Sequence, residues 1–207
     1  MDSPPAARPG RQRLSAEQRR SALVEATVTV VAARGYEGAS LADIAAAAGV
    51  SKGLIWHYFA DGDDLMAHTA RTTLVKLRNA VAADLDLAGP VPEVIRGAIN
   101  RAAQLRDTHP KELAALTAII HNLRTPDGSP RLGLDDYAET YAGQEELFRR
   151  GQREGSLRKL DPRLMAVTYQ GAVDTMLTYL AAHPDANGCD YARSLADLLL
   201  NGMTAPT

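Results

Sequence analysis

Residues 40–59 hold polar and basic side chains whose types and spacing suit contacts with nucleic acid. Lys52, Trp56 and His57 can each donate hydrogen bonds to phosphate oxygens or to base edges. All three fall in one predicted short helix, and such a helix can enter the major groove of DNA with its N-terminal residues at the bases. This stretch therefore predicts a surface that contacts DNA.

A preceding helix and a tight turn would position that surface. Ser40, with Asp43 three residues later, predicts the N-terminus of a short helix, and Gly49 ends it after barely two turns. Glycine takes a left-handed turn conformation that bulkier residues resist, so the next helix can cross at a steep angle. The spacing is that of a helix-turn-helix.

The second helix of this motif is predicted from Lys52 to Phe59, with Ser51 as its cap. Ile55 and Phe59 lie one turn apart and share the face that anchors the helix to a core. The remaining faces are left free for a partner.

A basic segment precedes the motif. It contains one acid, Glu17, and the arginines Arg8, Arg11, Arg13, Arg19 and Arg20. Residues 1–60 carry a net charge of +2 and residues 61–207 a net charge of −4, although the whole chain carries only −2. A basic arm ahead of a neutral fold suits phosphate contacts, but five arginines alone are equally typical of a solvated, disordered terminus.

The rest of the chain predicts helices and no strand, so we expect an all-α fold. Residues 1–13 are predicted to be disordered, and residues 125–133 form a loop rich in proline and glycine. The first helix begins after Ser15, which forms a capping box with Gln18, and ends at Gly35. The later helices are Asp63 to Asp84, Pro92 to Thr108, Pro110 to Leu123, Leu134 to Glu154, Asp161 to Ala182 and Asp190 to Asn201.

The pattern IAxxAGVSxGxIWxYF, which begins at Ile44, resembles the TetR family of transcriptional regulators. A Gly35-Tyr36 turn precedes it and Asp63-Asp64-Leu65 follows it, in the order that the family shows. The resemblance implies a three-helix helix-turn-helix DNA-binding domain over residues 14–62, with the family domain spanning about 17–77. Residues 63–207 would form a larger C-terminal helical bundle for effector binding and dimerisation.

The resemblance also implies residue roles. Ser40 would cap its helix and bond a phosphate, and Trp56 stands where the family most often has a tyrosine that bonds a phosphate. The implied DNA-binding residues are Ser40, Ser51, Lys52, Gly53, Leu54, Trp56, His57 and Tyr58. The chain departs from the family at Gly62, where a phosphate-contacting lysine is common. The loss of one such contact lowers the salt slope of log K by about 0.9, and the arginine arm is a candidate to compensate.

In the family, the C-terminal helices form a homodimer interface and an effector pocket. The apolar residues that we expect to supply an interface are Leu164, Val167, Met176, Leu177, Leu180, Leu195, Leu198 and Leu199, some of which must pack within one subunit. The candidate effector-binding residues are His121, Asn122, Tyr137, Tyr141, Tyr169 and Asp174, with His109 as a weaker candidate. His121 and Asn122 stand out because they interrupt an apolar run, and small residues could leave room for a hydrophobic effector.

The sequence argues against other function classes. It contains no G-x-S-x-G, Walker, H-E-x-x-H or G-x-G-x-x-G motif, so we expect no enzyme and no cofactor. The five histidines lack metal-ligand spacing, and Cys189 is a lone cysteine, so we expect no metal site and a reducing cytoplasm. The longest uncharged stretch, Leu113 to Leu123, is too short to span a membrane.

The predicted function is a dimeric repressor that a small-molecule effector releases from a palindromic operator. Two alternatives remain open at this point. The regulatory bundle could be closed and respond to a protein partner, or the protein could be an activator.

Overall fold

The computed structural model describes residues 15–204, and this part of the chain is all-α, as predicted. The predicted disordered basic arm, residues 1–13, lies outside the described residues. Within the described range a 3₁₀ helix, Leu134–Tyr137, accompanies nine α-helices. These are α1 (Ala16–Gly38), α2 (Leu41–Ala47), α3 (Lys52–Ile55), α4 (Gly62–Ala82), α5 (Val91–Thr108), α6 (Pro110–Asn122), α7 (Ala138–Arg153), α8 (Pro162–Ala182) and α9 (Gly188–Met203).

The predicted start of α1 is confirmed atom by atom. The Ser15 hydroxyl accepts the Gln18 backbone N–H at 3.1 Å, and the Gln18 side chain accepts the Ser15 N–H at 2.8 Å. Gly35 interrupts α1 with a positive φ of 74°, which is where the sequence predicted its end, and a short helical segment then continues to Gly38. The break redirects the chain towards α2.

Two predicted helices differ in length from the observed ones. The regular part of α3 ends at Ile55 rather than Phe59, because the next amides bond three residues back, from His57 to Leu54 and from Tyr58 to Ile55. The predicted helix from Leu134 to Glu154 is split. Its first turn is 3₁₀, and there the Asp136 carboxylate accepts the Gly133 N–H at 2.8 Å.

The side chains of the described residues form two apolar cores. The first joins α1–α4 to α6 through buried residues such as Leu23, Ile44, Leu65 and Ile119. The second joins α5, α7, α8 and α9. Helix α6 lies far along the chain from the predicted N-terminal unit, residues 14–62, yet it packs directly on that unit. The predicted N-terminal and C-terminal units therefore share a broad contact. The division of the chain at residue 62 stays a prediction.

Gly151 of α7 marks the tightest approach in the second core. A Cβ on this residue would lie 2.7 Å from the Leu157 side chain and 3.0 Å from Val91 Cγ1. We expect Gly151→Ala to lower the free energy of unfolding by about 1–3 kcal/mol, because the inserted methyl overpacks the core. Urea denaturation measures this.

Gly143, on the same helix, is the matched control. Nothing lies within 4 Å of a Cβ added there. Gly143→Ala should therefore raise the free energy of unfolding by about 0.5–1 kcal/mol through helix propensity alone. Equal effects of the two substitutions would contradict the packing that we describe.

Candidate DNA-binding surface and effector cavity

The turn between α2 and α3 has the geometry of a helix-turn-helix. Gly49 has a φ of +64°, and the Val50 N–H bonds the Ala45 carbonyl at 2.9 Å. Ile55 and Phe59, at 0% and 2% exposure, fix α3 and the turn after it to the first core. The anchoring role that the sequence predicted for these two residues matches their burial.

The eight candidate DNA-binding residues all reach the surface around α2 and α3. Ser51, Lys52, Gly53 and His57 are exposed, and so is Trp56 at 45%. Leu54 and Tyr58 are half-buried, and Ser40 is exposed at the start of α2. The surface thus presents donors without burying them, although contact with DNA stays a prediction for each residue.

Ser40 is already engaged by its own helix. Its hydroxyl donates to the Asp43 carboxylate and accepts the Asp43 N–H at 3.1 Å. Arg34 completes the cluster with an ion pair to Asp43 at 2.7 Å. The Ser40 hydroxyl, followed by Arg34, lowers the pKa of Asp43. Ser51, by contrast, makes no side-chain cap hydrogen bond, so its hydroxyl is the freer donor.

Two arginines near this surface have roles that the sequence did not reveal. Arg34 neutralises Asp43, an acid that would otherwise face phosphates. Arg20, counted in the basic segment, places its guanidinium 4.8 Å from the centroid of the Phe59 ring. Residue 62 has room for a side chain, since a Cβ there would meet Leu41 at an ordinary 3.6 Å, but glycine supplies no phosphate donor.

A cavity of about 700 Å³ lies between α4, α5, α6, α7 and α8. Its wall is mostly aliphatic and includes Leu74, Leu77, Val81, Leu105, Leu116 and Leu177. A second cavity, of about 510 Å³, lies beside the loop before the 3₁₀ helix. Tyr137 and Asp174 line both cavities. Large apolar cavities with a few polar groups are typical of small-molecule sites.

Three polar side chains in the larger cavity form one hydrogen-bonded chain. Gln144 Nε2 donates to Gln170 Oε1 at 2.7 Å, and Gln170 Nε2 donates to Asp174 Oδ1 at 2.8 Å. Burial raises the pKa of Asp174, while hydrogen bonds from Gln170 and Tyr137 act in the opposite direction. Burial and the neighbouring Asp174 raise the pKa of Tyr137, so its hydroxyl stays protonated.

Four of the candidate effector residues line one of the two cavities, and the others line neither. Tyr137, Tyr169 and Asp174 line the larger cavity, and Tyr141 lines the smaller one. Their contact with an effector stays a prediction.

His121 and Asn122 do not reach either cavity. Both are exposed, and their side chains bond carbonyls of their own helix, those of Thr117 and Ala118, at 2.8 Å. They line neither cavity because the interruption of the apolar run falls on the exposed side of α6, and their contact with an effector stays a prediction. His109 likewise bonds its neighbour Thr108.

Gln144 and Gln170 are two polar cavity residues that the sequence did not identify. Gln170 stands four residues before Asp174, a spacing that places both on one face of α8. That signal was available in the sequence. Gln144 lies on a different helix and gave no local signal, since only the packing of α7 on α8 brings it to Gln170.

Ion pairs join α4 to the cavity wall. Arg71 pairs with Asp136 of the 3₁₀ helix at 2.7 Å, and Arg78 pairs with Glu139 of α7 at 3.0 Å. On its other side, Lys76 pairs with Glu112 of α6 at 2.6 Å. Helix α4 therefore connects the first core to the segment that carries Tyr137.

Comparison with known proteins decides the assignment of the N-terminal part. Residues 23–69 match the family model of bacterial regulatory proteins, tetR family. These residues carry the TetR-family domain. The resemblance drawn from the sequence is thereby confirmed.

Individual relatives cover only part of the chain. The HTH-type transcriptional regulator BetI of Cronobacter sakazakii is 45% identical over 67 residues, 32% of this chain and 33% of that protein. BetI of Rhizobium meliloti is 31% identical over 114 residues, 55% of this chain and 56% of that protein. The chain thus aligns with a third to a little over half of the length of these relatives.

Solved structures extend the likeness in fold beyond the TetR domain. FadR of Bacillus subtilis, solved in complex with stearoyl-CoA, superposes with a TM-score of 0.74 over 88% of this chain and 98% of its own, at 18% identity. At that identity the likeness concerns the fold. Within residues 15–204 no helix has the length and apolarity needed to cross a membrane, and no cluster of three or more His, Cys, Asp or Glu residues could hold a metal.

The raised pKa of Asp174 makes stability depend on pH. The folded protein binds this proton more tightly than the unfolded chain, so stability falls as pH rises from the unfolded pKa of about 3.9 up to the raised folded value. Asp174→Asn removes the titrating carboxyl group, so the variant does not lose stability over this pH range. The difference in free energy of unfolding, variant minus wild type, should therefore grow over that window and then level off in urea titrations.

The exposed carboxylate Glu146 provides the control for this measurement. It is paired with Arg153 at the surface, where ion pairs contribute little. Glu146→Gln should show no comparable growth with pH. A difference for Asp174→Asn that stays constant over the window would contradict the assigned burial.

Proposed function

We propose that this protein is a sequence-specific DNA-binding transcriptional regulator, a dimeric repressor that a small-molecule effector releases from a palindromic operator. The observation that carries the proposal is the combination of a TetR-family helix-turn-helix with a cavity of about 700 Å³, both built on α4. It would act in the cytoplasm, on double-stranded DNA.

The exposed face around α3 supports DNA reading. Lys52 and Gly53 stand at the N-terminus of α3, the end that approaches bases in a helix-turn-helix complex. Trp56 and His57 follow on the exposed turn. In this proposal Lys52, Gly53 and Leu54 reach base edges, whereas Ser40, Ser51, Trp56 and Tyr58 position the domain on phosphates, and His57 contacts either.

The cavity favours a small-molecule effector over control by a protein partner. A closed regulatory bundle would fill the space between α4 and α8 with side chains, whereas here it stays open. FadR, a neighbour in fold, was solved with stearoyl-CoA, which supports a ligand role for the cavity in this architecture.

The outer faces of α8 and α9 support a homodimer. Leu164 and Leu198 are 64% and 70% exposed, and Tyr179 is 42% exposed. Exposed apolar side chains on adjoining helices are typical of a subunit interface. Met176 and Leu180, two of the expected interface residues, are fully buried within the subunit and are excluded from this role. Val167, Leu177, Leu195 and Leu199 are half-buried between these extremes.

Helix α4 supports communication between the two sites. Its first half packs in the core that holds α3, and its second half lines the cavity. An effector that favours a different position of α4 would change the separation of the two α3 helices in a dimer, and half-sites stand about 34–36 Å or a multiple apart. Coupling of about 1–3 kcal/mol is typical of such switches.

Selection from randomised DNA duplexes by gel shift, at two salt concentrations, tests the DNA-binding role. We expect an inverted repeat to be enriched. Lys52→Ala and His57→Ala should each weaken binding to it about 5- to 100-fold, because each base contact contributes about 1–3 kcal/mol. Lys159→Ala is the control, since it removes the same charge from an exposed lysine in the loop before α8 and should leave specificity unchanged.

Sequence-blind, salt-sensitive binding alone would contradict the proposal. Transcription from a reporter that carries the selected repeat, with and without the protein, then distinguishes repression from activation. Activation would contradict the repressor assignment and leave the DNA-binding assignment standing.

A further inference from the structure

The charges on the larger cavity's wall are unevenly paired. Five charged side chains line it, and four of them are engaged by the protein. Arg78 pairs with Glu139 at 3.0 Å, and Glu146 pairs with Arg153 at 2.8 Å. Arg150 donates to the carbonyls of Leu87 and Gly89 at 2.7 and 2.8 Å. Arg150 Nε has no hydrogen-bond partner but lies 3.5 Å from the Glu154 carboxylate, so both arginines on the wall have an acidic neighbour within the protein.

Asp174 is the fifth charged residue, and it has no cationic partner within residues 15–204. None of the ion pairs in this range includes it, and the side-chain hydrogen bond that it accepts, at 2.8 Å, comes from the neutral amide of Gln170. A carboxylate held among apolar groups without a counter-charge is costly to bury. A cation placed beside it would remove that cost.

The hydrogen-bonded chain has a direction that Asp174 imposes. A carboxylate only accepts, so Gln170 must turn Nε2 towards Asp174 and Oε1 towards Gln144. Gln144 must then present its own Nε2 to Gln170. Its Oε1 is left as the open end of the chain, buried and without a hydrogen-bond partner among the described residues.

The open end at Gln144 Oε1 and the carboxylate of Asp174 at the other end are both acceptors, so a group that binds at either end must donate. A primary ammonium carries three N–H donors and a positive charge, both of which suit the Asp174 carboxylate. The aromatic rings of Tyr137, Phe148 and Tyr169 line the same space, where a cation can also lie against a ring. The aliphatic part of the wall suits a hydrocarbon body.

We propose that the effector is a protonated primary amine with an aliphatic body, whose ammonium group donates hydrogen bonds to the carboxylate of Asp174. The inference rests on the proposed function, because it names the ligand class of the same cavity. It also predicts that carboxylates bind poorly there, since both arginines on the wall are already engaged.

Calorimetric titration of the full-length protein with four eight-carbon probes tests the inference. Octylammonium is the expected ligand. Octan-1-ol has the same chain without charge, octanoate has an anionic head, and octyltrimethylammonium is a cation without N–H donors. We expect octylammonium to bind at least about tenfold more tightly than each of the other three.

A variant tests the proposed acceptor. Asp174→Asn should weaken octylammonium binding about tenfold or more. Glu146→Gln, which removes a carboxylate that is already paired, should leave the affinity within about twofold of wild type. Urea unfolding and operator binding by each variant show whether the fold is retained.

Several results would overturn the inference. They are equal or tighter binding of octanoate or octan-1-ol, equal binding of octyltrimethylammonium, unchanged affinity in Asp174→Asn, and failure of octylammonium to bind at millimolar concentration. Operator binding is measured without any probe, so failure of the amine assignment is distinguishable from failure of the proposed function.

Discussion

Helix α4 has to satisfy two sets of contacts at once. Leu65, Met66 and Ala70 bury it in the core that also anchors α3, while Leu74 and Val81 pack at the edge of that core and border the cavity. Interiors close-pack, so the end of α4 that borders open space has more room to shift than the end held in the core. Arg71 and Arg78 add ion pairs from α4 to the 3₁₀ helix and to α7. A change at the cavity wall thus reaches the helix-turn-helix through one element.

The charges around α2 and α3 differ in sign from the unpaired charge in the larger cavity. Around α2 and α3, the acid Asp43 is neutralised by Arg34, and exposed donors such as Lys52 remain for a polyanion. In the larger cavity the opposite holds. Arg78 and Arg150 have partners within the protein, and the carboxylate of Asp174 is left without a counter-charge. In the proposed function, exposed donors such as Lys52 match the phosphates of DNA, and the carboxylate of Asp174 matches a cationic effector. The opposite charges of the two sites would then help each one to reject the other's partner.

Features encoded by residues close together in the chain could be predicted from the sequence, and features that depend on packing between distant helices could not. The capping box at Ser15, the turn at Gly49 and the anchors Ile55 and Phe59 are encoded within a few residues, and they were predictable with the fold class. The cavity was not, because it arises from helices distant in the chain. His121 appeared to be a pocket residue from its place in an apolar run, yet the packing of α6 turns it to solvent. Gln144 gave no local signal at all, since only α8 shows what it faces.

Spin labels on α2 test the central claim, that cavity occupancy repositions the DNA-reading surfaces. Exposed Ala46, changed to cysteine in a Cys189→Ser background, gives one label per subunit. Electron–electron distance measurements on the dimer, bound to operator or to a compound that releases it, then report the separation of the two domains. We predict two distinct separations, and a smaller difference between them in Arg71→Ala, because that variant loses the ion pair from α4 to the 3₁₀ helix. Identical distance distributions in the two states would contradict the account, since release would then occur without movement of the reading surfaces.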